Sequence, residues 1–340
     1  MGIEETDLFK VEMQNGLTLE EMESQYFDAD ALRNSPRRVY RVGGTSKRIY
    51  YTLNDNGEPF FYSSVTTAIS RNMPTSPFLI KWIADKGFEE AENYKEERAD
   101  YGTFLHIEIS DLLINRKCDL DSLEDRLKQY IFENNLPQSF IYYSEELRKD
   151  ILAFAQWVID YNVKVIAVEL VLADEETGMG GAIDIVCELD QVEKGFFGEV
   201  LKSGPNKGQP KETKRTKRVK AIVDNKSGRK GFFENHKIQL QIYRKIWNVN
   251  FPEIQIENVF NWSPKDWTGS TPTYNFANQT SIESEKIADL VIEMERVRRE
   301  KDKNGVLVVH GEINLDGPGL EENYYNVELS EFITGKHNEK

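Results

Sequence analysis

Hydrophobic spacing divides the chain into two regimes. Over residues 63–162 apolar positions recur at intervals of three and four, as helices require; from Val163 onward they gather into short runs that suit strands. In the first regime, Ser63-Ser64-Val65-Thr66-Thr67-Ala68-Ile69 places hydroxyls ahead of apolar residues and could cap and open a helix. Pro77 is placed to start the next, which contains Leu79, Ile80, Trp82 and Ile83. The spacing of Leu105, Ile109, Leu112 and Leu113 predicts a helix over about 101–114, and residues 119–162 read as two helical pieces broken near Pro137. Upstream, residues 36–62 alternate β-formers with turn signals, above all Asn54-Asp55-Asn56-Gly57, and read as a small hairpin. Residues 1–35 are an acidic, amphipathic lead-in.

In the second regime, strands are predicted over 165–172, 181–189, 196–201 and 219–226, then a helix over about 232–247. A strand over 256–262, a long charged helix over 282–301, a short strand over 306–310 and a polar tail follow. Helices first, then a sheet with a helix packed on it, indicate an α/β protein of the α+β kind: a mixed central sheet flanked by helices, with a helical N-terminal half. The expected division is an extension with a small hairpin (1–62), a main domain (63–310) and a C-terminal tail (311–340). Within the main domain lie a helical part (63–162) and a core (163–250) that carries an insertion (191–220).

Composition narrows the class. At 340 residues, 39% hydrophobic and 30% charged, the chain can bury a sizeable core and reads as a soluble globular protein. No apolar run approaches the roughly 18 residues that a membrane span needs, and the first ten residues carry no apolar signal core, so no membrane partner is expected. The two cysteines, Cys118 and Cys187, are too few for a disulfide framework or a four-cysteine metal site. A reducing cytoplasm is the expected compartment.

Charge distribution matters more than its sum. A net charge of −15 argues against a polyanionic partner, yet eleven basic residues fall within 202–230: Lys202, Lys207, Lys211, Lys214, Arg215, Lys217, Arg218, Lys220, Lys226, Arg229 and Lys230. Only Glu212 and Asp224 oppose them. A polyanion senses local density within a Debye length of about 8–10 Å. A solvated basic loop would explain an isolated run, but this one leads directly into Asp224 and Lys226.

Those two residues carry the candidate chemistry. Residues i and i+2 of a strand share a face, so Asp224 and Lys226 project side by side. A carboxylate can hold a hard cation, and an ammonium beside it can orient water or offset phosphate charge. Asp184, at the end of an earlier apolar strand, is the second expected ligand, and the carbonyl of Asn225 a possible third oxygen. Glu169 is a further candidate ligand from a neighbouring strand, although a strand-edge glutamate is nearly as often bland. His236, Gln239 and Tyr243 share one helical face, and Gln239 and Tyr243 could line a groove that contacts nucleic acid. On an ordinary amphipathic helix Ile238, Ile242 and Ile246 would pack on the sheet while Gln239 stayed solvated. A lone histidine on a helix, such as His106, is more often structural than a ligand; beside carboxylates it would make a site tolerant of Mn²⁺ as well as Mg²⁺.

Taken in order, Ser64-Val65-Thr66-Thr67, Leu79-Ile80-Lys81-Trp82, Gly102-Thr103-Phe104-Leu105-His106, Gly181-Ala182-Ile183-Asp184, Asp224-Asn225-Lys226-Ser227-Gly228 and Gln239-Leu240-Gln241-Ile242-Tyr243 resemble the RecB-like branch of the PD-(D/E)xK nuclease superfamily. The resemblance is to exonuclease-like members of phages and mobile elements, and it covers roughly residues 60–247. It implies a restriction-endonuclease-like core and Mg²⁺ or Mn²⁺ held by His106, Asp184 and Asp224 with the Asn225 carbonyl. It also implies a catalytic Lys226, and Gln239 and Tyr243 supporting the site and contacting DNA. The implied activity is hydrolysis of DNA, more in the manner of an exonuclease on linear single- or double-stranded ends. The implied setting is recombination, repair or phage genome processing in a bacterial or phage-infected cytoplasm, alongside a recombination or replication protein.

Two departures qualify the resemblance. Forty residues separate Asp184 from Asp224, and the excess reads as an extended hairpin, a DNA-contacting finger bearing Lys214, Arg215, Lys217, Arg218 and Lys220, with Arg229 and Lys230 beyond it. With two cysteines, no iron–sulfur cluster is expected. Two other readings compete: a catalytically silent DNA-binding or scaffold protein that keeps the fold, and a sequence- or structure-specific endonuclease.

Overall fold

Aromatic residues crowd the first strands, Tyr50-Tyr51 in one and Phe60-Phe61-Tyr62 in the next, and one end of the sheet is built from them. The structure, a computed structural model, describes residues 39–42, 49–53, 59–229, 231–269, 271–301 and 324–325. Strands β1 (Tyr40–Val42), β2 (Ile49–Leu53) and β3 (Pro59–Ser64) form an antiparallel meander. Its Tyr50 and Tyr62 are buried, and Thr52 Oγ1 lies 3.0 Å from the Tyr62 hydroxyl. The expected turn at 54–57 lies outside the described residues, as do the lead-in at 1–35, the strand at 306–310, Lys230 and most of the tail at 311–340. Within that tail, β9 (Tyr324–Tyr325) pairs antiparallel with β1.

Five helices follow β3. Helix α1 (Val65–Asn72) opens where expected, although the Ser64 hydroxyl bonds Thr66 Oγ1 (2.9 Å) instead of capping a backbone N–H. Helix α2 (Pro77–Lys86) begins at its proline and has no buried residue, despite its apolar sequence. Helix α3 (Phe88–Asn115) is twice the predicted length. Its first half carries Glu, Lys and Arg rather than an apolar stripe, so hydrophobic spacing does not detect it; pairs such as Lys95–Glu92 support the helix there. The break at Pro137 separates α4 (Leu123–Glu133) from a 3-10 turn (Gln138–Tyr143) that runs into α5 (Ser144–Asp160).

The main sheet comprises β4 (Lys164–Asp174), β5 (Met179–Val200), β6 (Pro210–Asn225), β7 (Asn258–Pro264) and β8 (Tyr274–Asn278). Helix α6 (Glu234–Asn250) links β6 to β7, and α7 (Ile282–Lys301) follows β8. Nine strands join in the order β8-β7-β6-β5-β3-β2-β1-β9, with β4 on the other side of β5. The sheet is mixed: β6–β7 and β3–β5 are parallel, the remaining pairs antiparallel. The separate strands predicted at 181–189 and 196–201 are one strand, and β6 begins nine residues before the expected 219. Their outer halves stand in water on both faces and so lack an apolar alternation. Strand β8 was not anticipated; its Tyr-Asn-Phe-Ala-Asn carries too few apolar residues to stand out.

Helices cover both faces. Gln239 of α6 reaches Asp224, so α6 lies over the face bearing that carboxylate, with α1 and α7 packed beside it. Trp262 points the other way from its neighbour Asn261 and meets Phe154 of α5 edge-on at 5.0 Å, so α5 covers the opposite face. Trp157, Trp247 and Trp262 are fully buried, each contributing on the order of 2–3 kcal/mol of transfer free energy. Among the described residues, no helix is long and apolar enough to cross a membrane.

Candidate active site

The site forms where β5 changes partners. Its pairing with β6 runs from Phe196↔Glu212 inward to Ile185↔Val223, which sets Asp184 opposite Asp224 one step further on. At Asn225 strand β6 leaves, and Lys226 N–H donates to Trp262 O of β7 (2.8 Å). Further along β5, Met179 and Gly180 pair with Ser63 and Ser64 of β3. Asp184 therefore lies in the gap between two partner strands. Its Oδ2 accepts the Asn225 N–H (2.7 Å), so Asn225 is tied to the cluster through its backbone N–H.

Asp224 is held from three sides. Lys226 Nζ (2.9 Å) and Gln239 Nε2 (3.2 Å) donate to Oδ1, and Asn261 Nδ2 (2.7 Å) donates to Oδ2. Gln239 also accepts from Lys226 Nζ at 3.3 Å and donates to the Tyr243 hydroxyl at 3.4 Å. The alternative of a solvated Gln239 fails: it is 8% exposed and ties the lysine to the aspartate. Tyr243 lies against Gly181, where an added Cβ would stand 2.7 Å from Cε1 and 2.9 Å from the hydroxyl. Gly181 is thus required by the close approach of Tyr243. His236, on the same helix, has its ring edge-on to Phe233 and its Nδ1 accepting the Phe233 N–H at 3.4 Å. Burial, with help from Lys226, lowers its pKa to about 4.

Helix α3 brings in the histidine. His106 Nδ1 lies 3.0 Å from Glu169 Oε1 and 3.9 Å from Asp184 Oδ2. Glu169 sits in β4 with φ of +51°, in the left-handed region that a side chain avoids and that in a non-glycine marks local strain. One ligand atom each from His106, Glu169 and Asp184 falls within 4.8 Å of the others. That span is close to the ~4.2 Å between opposite ligands of a cation with ~2.1 Å bonds. An imidazole and two carboxylates suit Mn²⁺ or Mg²⁺, so the residues fit a divalent ion. Asp224 stands beside this trio, its oxygens already bonded.

Electrostatics follow from packing negative charge together. Burial raises the Asp184 pKa to about 7; Asp224 and Glu169 add to the rise, and His106 and Lys226 oppose it. At His106 burial works against protonation, but Asp184 and Glu169 outweigh it and raise the pKa to about 9. Tyr243 is raised well above its ordinary value by burial, helped by nearby Tyr50 and the two aspartates. A cation added among these carboxylates would relieve their mutual repulsion. The cluster opens outward: Asp224 is buried at 2% exposure, whereas the Lys226 side chain keeps 23%.

No protein-family model matches the chain, and no curated protein matches it.

The expected basic residues divide by direction. Lys214, Arg215, Lys217 and Lys220 are exposed on the outer part of β6. Arg218 is anchored at the base, its Nη1 donating to Asn162 O (2.6 Å) and Asp190 Oδ1 (3.1 Å). Arg229 does not join this exposed set. Its guanidinium pairs with Asp150 (2.8 Å), Glu146 (2.9 Å) and Asp266 (3.2 Å), fixing the segment after Lys226 to α5. The same segment is tied to α3, where Arg98 Nη2 approaches Ser227 O (3.5 Å) and a Cβ on Gly102 would stand 3.1 Å from Ser227 Oγ. Asn261 escaped the sequence reading. Its one signal is a polar residue inside the apolar run Val259-Phe260-Asn261-Trp262, and it is fully buried.

Proposed function

We propose that this chain is a Mg²⁺- or Mn²⁺-dependent deoxyribonuclease, acting on linear ends as an exonuclease. One observation carries the reading: Asp184, Asp224 and Lys226, at least 78 residues from His106 and brought in by separate elements, meet that histidine and Glu169 in one cluster. The order of motifs along the chain, resembling the RecB-like nucleases, supports it. On this reading β4 to β7 with α3 and α6 are the restriction-endonuclease-like core.

His106, Glu169 and Asp184 would hold the metal, with Asp224 adjacent. When bound, the ion lowers the pKa of a water and offsets charge on the phosphate. Lys226 presents its ammonium at the open side of the cluster, held by Asp224 Oδ1 and Gln239 Oε1. There it orients the attacking water or stabilises charge that develops on the phosphoryl oxygens, at no reorganisation cost because its partners are already set. Asn261 and Gln239 fix Asp224, and the Asn225 N–H fixes Asp184.

The test is cleavage of end-labelled linear and closed circular DNA with Mg²⁺, Mn²⁺ or EDTA, beside Asp224→Ala and Lys226→Ala. Metal-dependent loss of linear DNA that needs both residues is the expected outcome. Cutting of the circle would instead indicate an endonuclease, and salt-sensitive binding without cleavage a silent DNA-binding protein.

A further inference from the structure

Beyond Asp190 and Arg218, β5 and β6 leave the body of the sheet as a two-stranded ribbon. Register is kept through Phe196↔Glu212, and the turn closes through Leu201 N–H to Gln209 O (2.9 Å). From Asp224 to Lys214 the ribbon advances ten residues, or about 33 Å at ~3.3 Å each. Nine basic residues stand in 191–220 against three acidic ones, Glu193, Glu199 and Glu212, in a chain whose net charge is −15.

The two faces of the ribbon differ. Cross-strand partners share a face and successive residues alternate. One face carries Gln191, Glu193, Arg215 and Lys217, and its cations have a carboxylate among them: Arg215 lies opposite Glu193, and Lys217 pairs with Glu193 at 4.0 Å. Lys211, on that same side of β6, pairs with Glu199 at 3.7 Å. The other face continues the one that bears Asp184 and Asp224. On it Val192 pairs with Thr216, Lys194 with Lys214, and Phe196 with Glu212. Val192 is 54% exposed and Phe196 68%. Like charges set directly opposite are destabilising, and among the described residues no carboxylate pairs with Lys194 or Lys214. Two facing lysines between exposed apolar side chains form a surface suited to a phosphate backbone and the sugars or bases beside it.

We infer that this ribbon face docks duplex DNA about one helical turn from the site of cleavage, with Lys194 and Lys214 on phosphates and Phe196 against the groove. The choice of a polynucleotide rests on the nuclease reading. The choice of duplex DNA rests on shape: an arm of ~33 Å matches the ~34 Å turn of B-DNA, whose major groove admits a two-stranded ribbon. Duplex RNA has a major groove too deep and narrow for such an arm, and a single strand is too flexible to hold a fixed distance.

Fluorescence anisotropy of the full-length protein with labelled 30-base-pair DNA in EDTA, over a range of salt, measures binding apart from cleavage. Lys194→Ala with Lys214→Ala is expected to weaken binding on the order of tenfold and to flatten the log–log salt slope by about two. Lys211→Ala, at a lysine already paired with Glu199 on the other face, leaves the slope as in the wild type. A G·C-rich 7-base-pair duplex, about 24 Å long at ~3.4 Å per step and so too short to reach Lys214 from the site, binds more weakly than the 30-mer, and equal-length single strands and duplex RNA compete poorly. Unchanged affinity and slope in a double variant that melts like the wild type overturn the inference, as does preference for single strands or RNA. Parallel assays with Mg²⁺ separate the two readings. Lysine-dependent duplex binding without cleavage would sink the nuclease reading alone; cleavage with lysine-independent binding would sink the ribbon alone.

Discussion

The same two strands do opposite things at their two ends. Between Gly180 and Leu189, and between Val219 and Asn225, β5 and β6 lie largely inside the protein, exposed Lys220 apart, and the site positions are chosen by contact: Gly181 by Tyr243, Asp184 by the Asn225 amide, Asp224 by three donors. Beyond Asp190 and Arg218 they stand in solvent, and residues are held by pairing alone. Continuous hydrogen bonding thus does not imply uniform constraint. The buried half can position charges to within a bond length; the exposed half can only present them. Substitutions should therefore separate into large effects on chemistry or stability at one end and small effects on stability at the other.

The largest effect is expected at Lys226. Lys226→Ala removes the cation from a network in which Asp224 keeps Gln239 and Asn261 as donors, and should lower cleavage of end-labelled DNA about 10²–10³-fold. Loss of the fold, seen by circular dichroism, would instead make Lys226 structural.

Asp150 gives the next effect, beneath the segment that follows Lys226. Burial raises its pKa to about 6, while the Tyr101 hydroxyl and Arg229 oppose the rise. Between about pH 4 and 6 the folded state holds a proton that the unfolded chain has released, so this contribution to stability falls as pH rises through that window and is flat above it. Asp150→Asn removes the titration. Relative to the wild type it should gain up to roughly 3 kcal/mol between pH 4 and 7 in urea unfolding. A difference that is constant with pH would mean that Asp150 is not perturbed.

Gly181→Ala should follow. The added methyl meets Tyr243, which is 5% exposed and bonded to Gln239, so neither group has room to give. A loss of about 1–3 kcal/mol is expected in urea midpoint with an unchanged slope. A wild-type midpoint would show that Tyr243 has room to move.

What could be read beforehand follows the same division. Asp224, Lys226, Gln239 and Tyr243 announce themselves because strand and helix periods bring them onto shared faces, and burial enforces those periods. Asn261 has no spacing partner, so its place beside Asp224 could not be inferred. Glu169 reaches His106 from a backbone conformation that no pattern encodes. The ribbon was misdivided because its outer strands bury no face and leave no alternation to detect, and the first half of α3 was overlooked for the same reason. Arg229 was grouped with exposed lysines because a run of charge gives number, not direction; three carboxylates determine where it points.

The smallest effect is the sharpest test of the contrast. Phe196 is 68% exposed and has only Glu212 across the ribbon, so Phe196→Ser should change unfolding free energy by no more than about 0.5 kcal/mol. A comparable loss of surface at buried Trp262, as Trp262→Ala, is expected to cost about 3–5 kcal/mol. If Phe196→Ser instead destabilised the protein by several kcal/mol in urea unfolding, the ribbon would have to pack on something in solution, and its exposed face would be a folded interface. A near-zero effect on folding would leave the Phe196 ring a surface group, free to meet the duplex that the ribbon is inferred to dock.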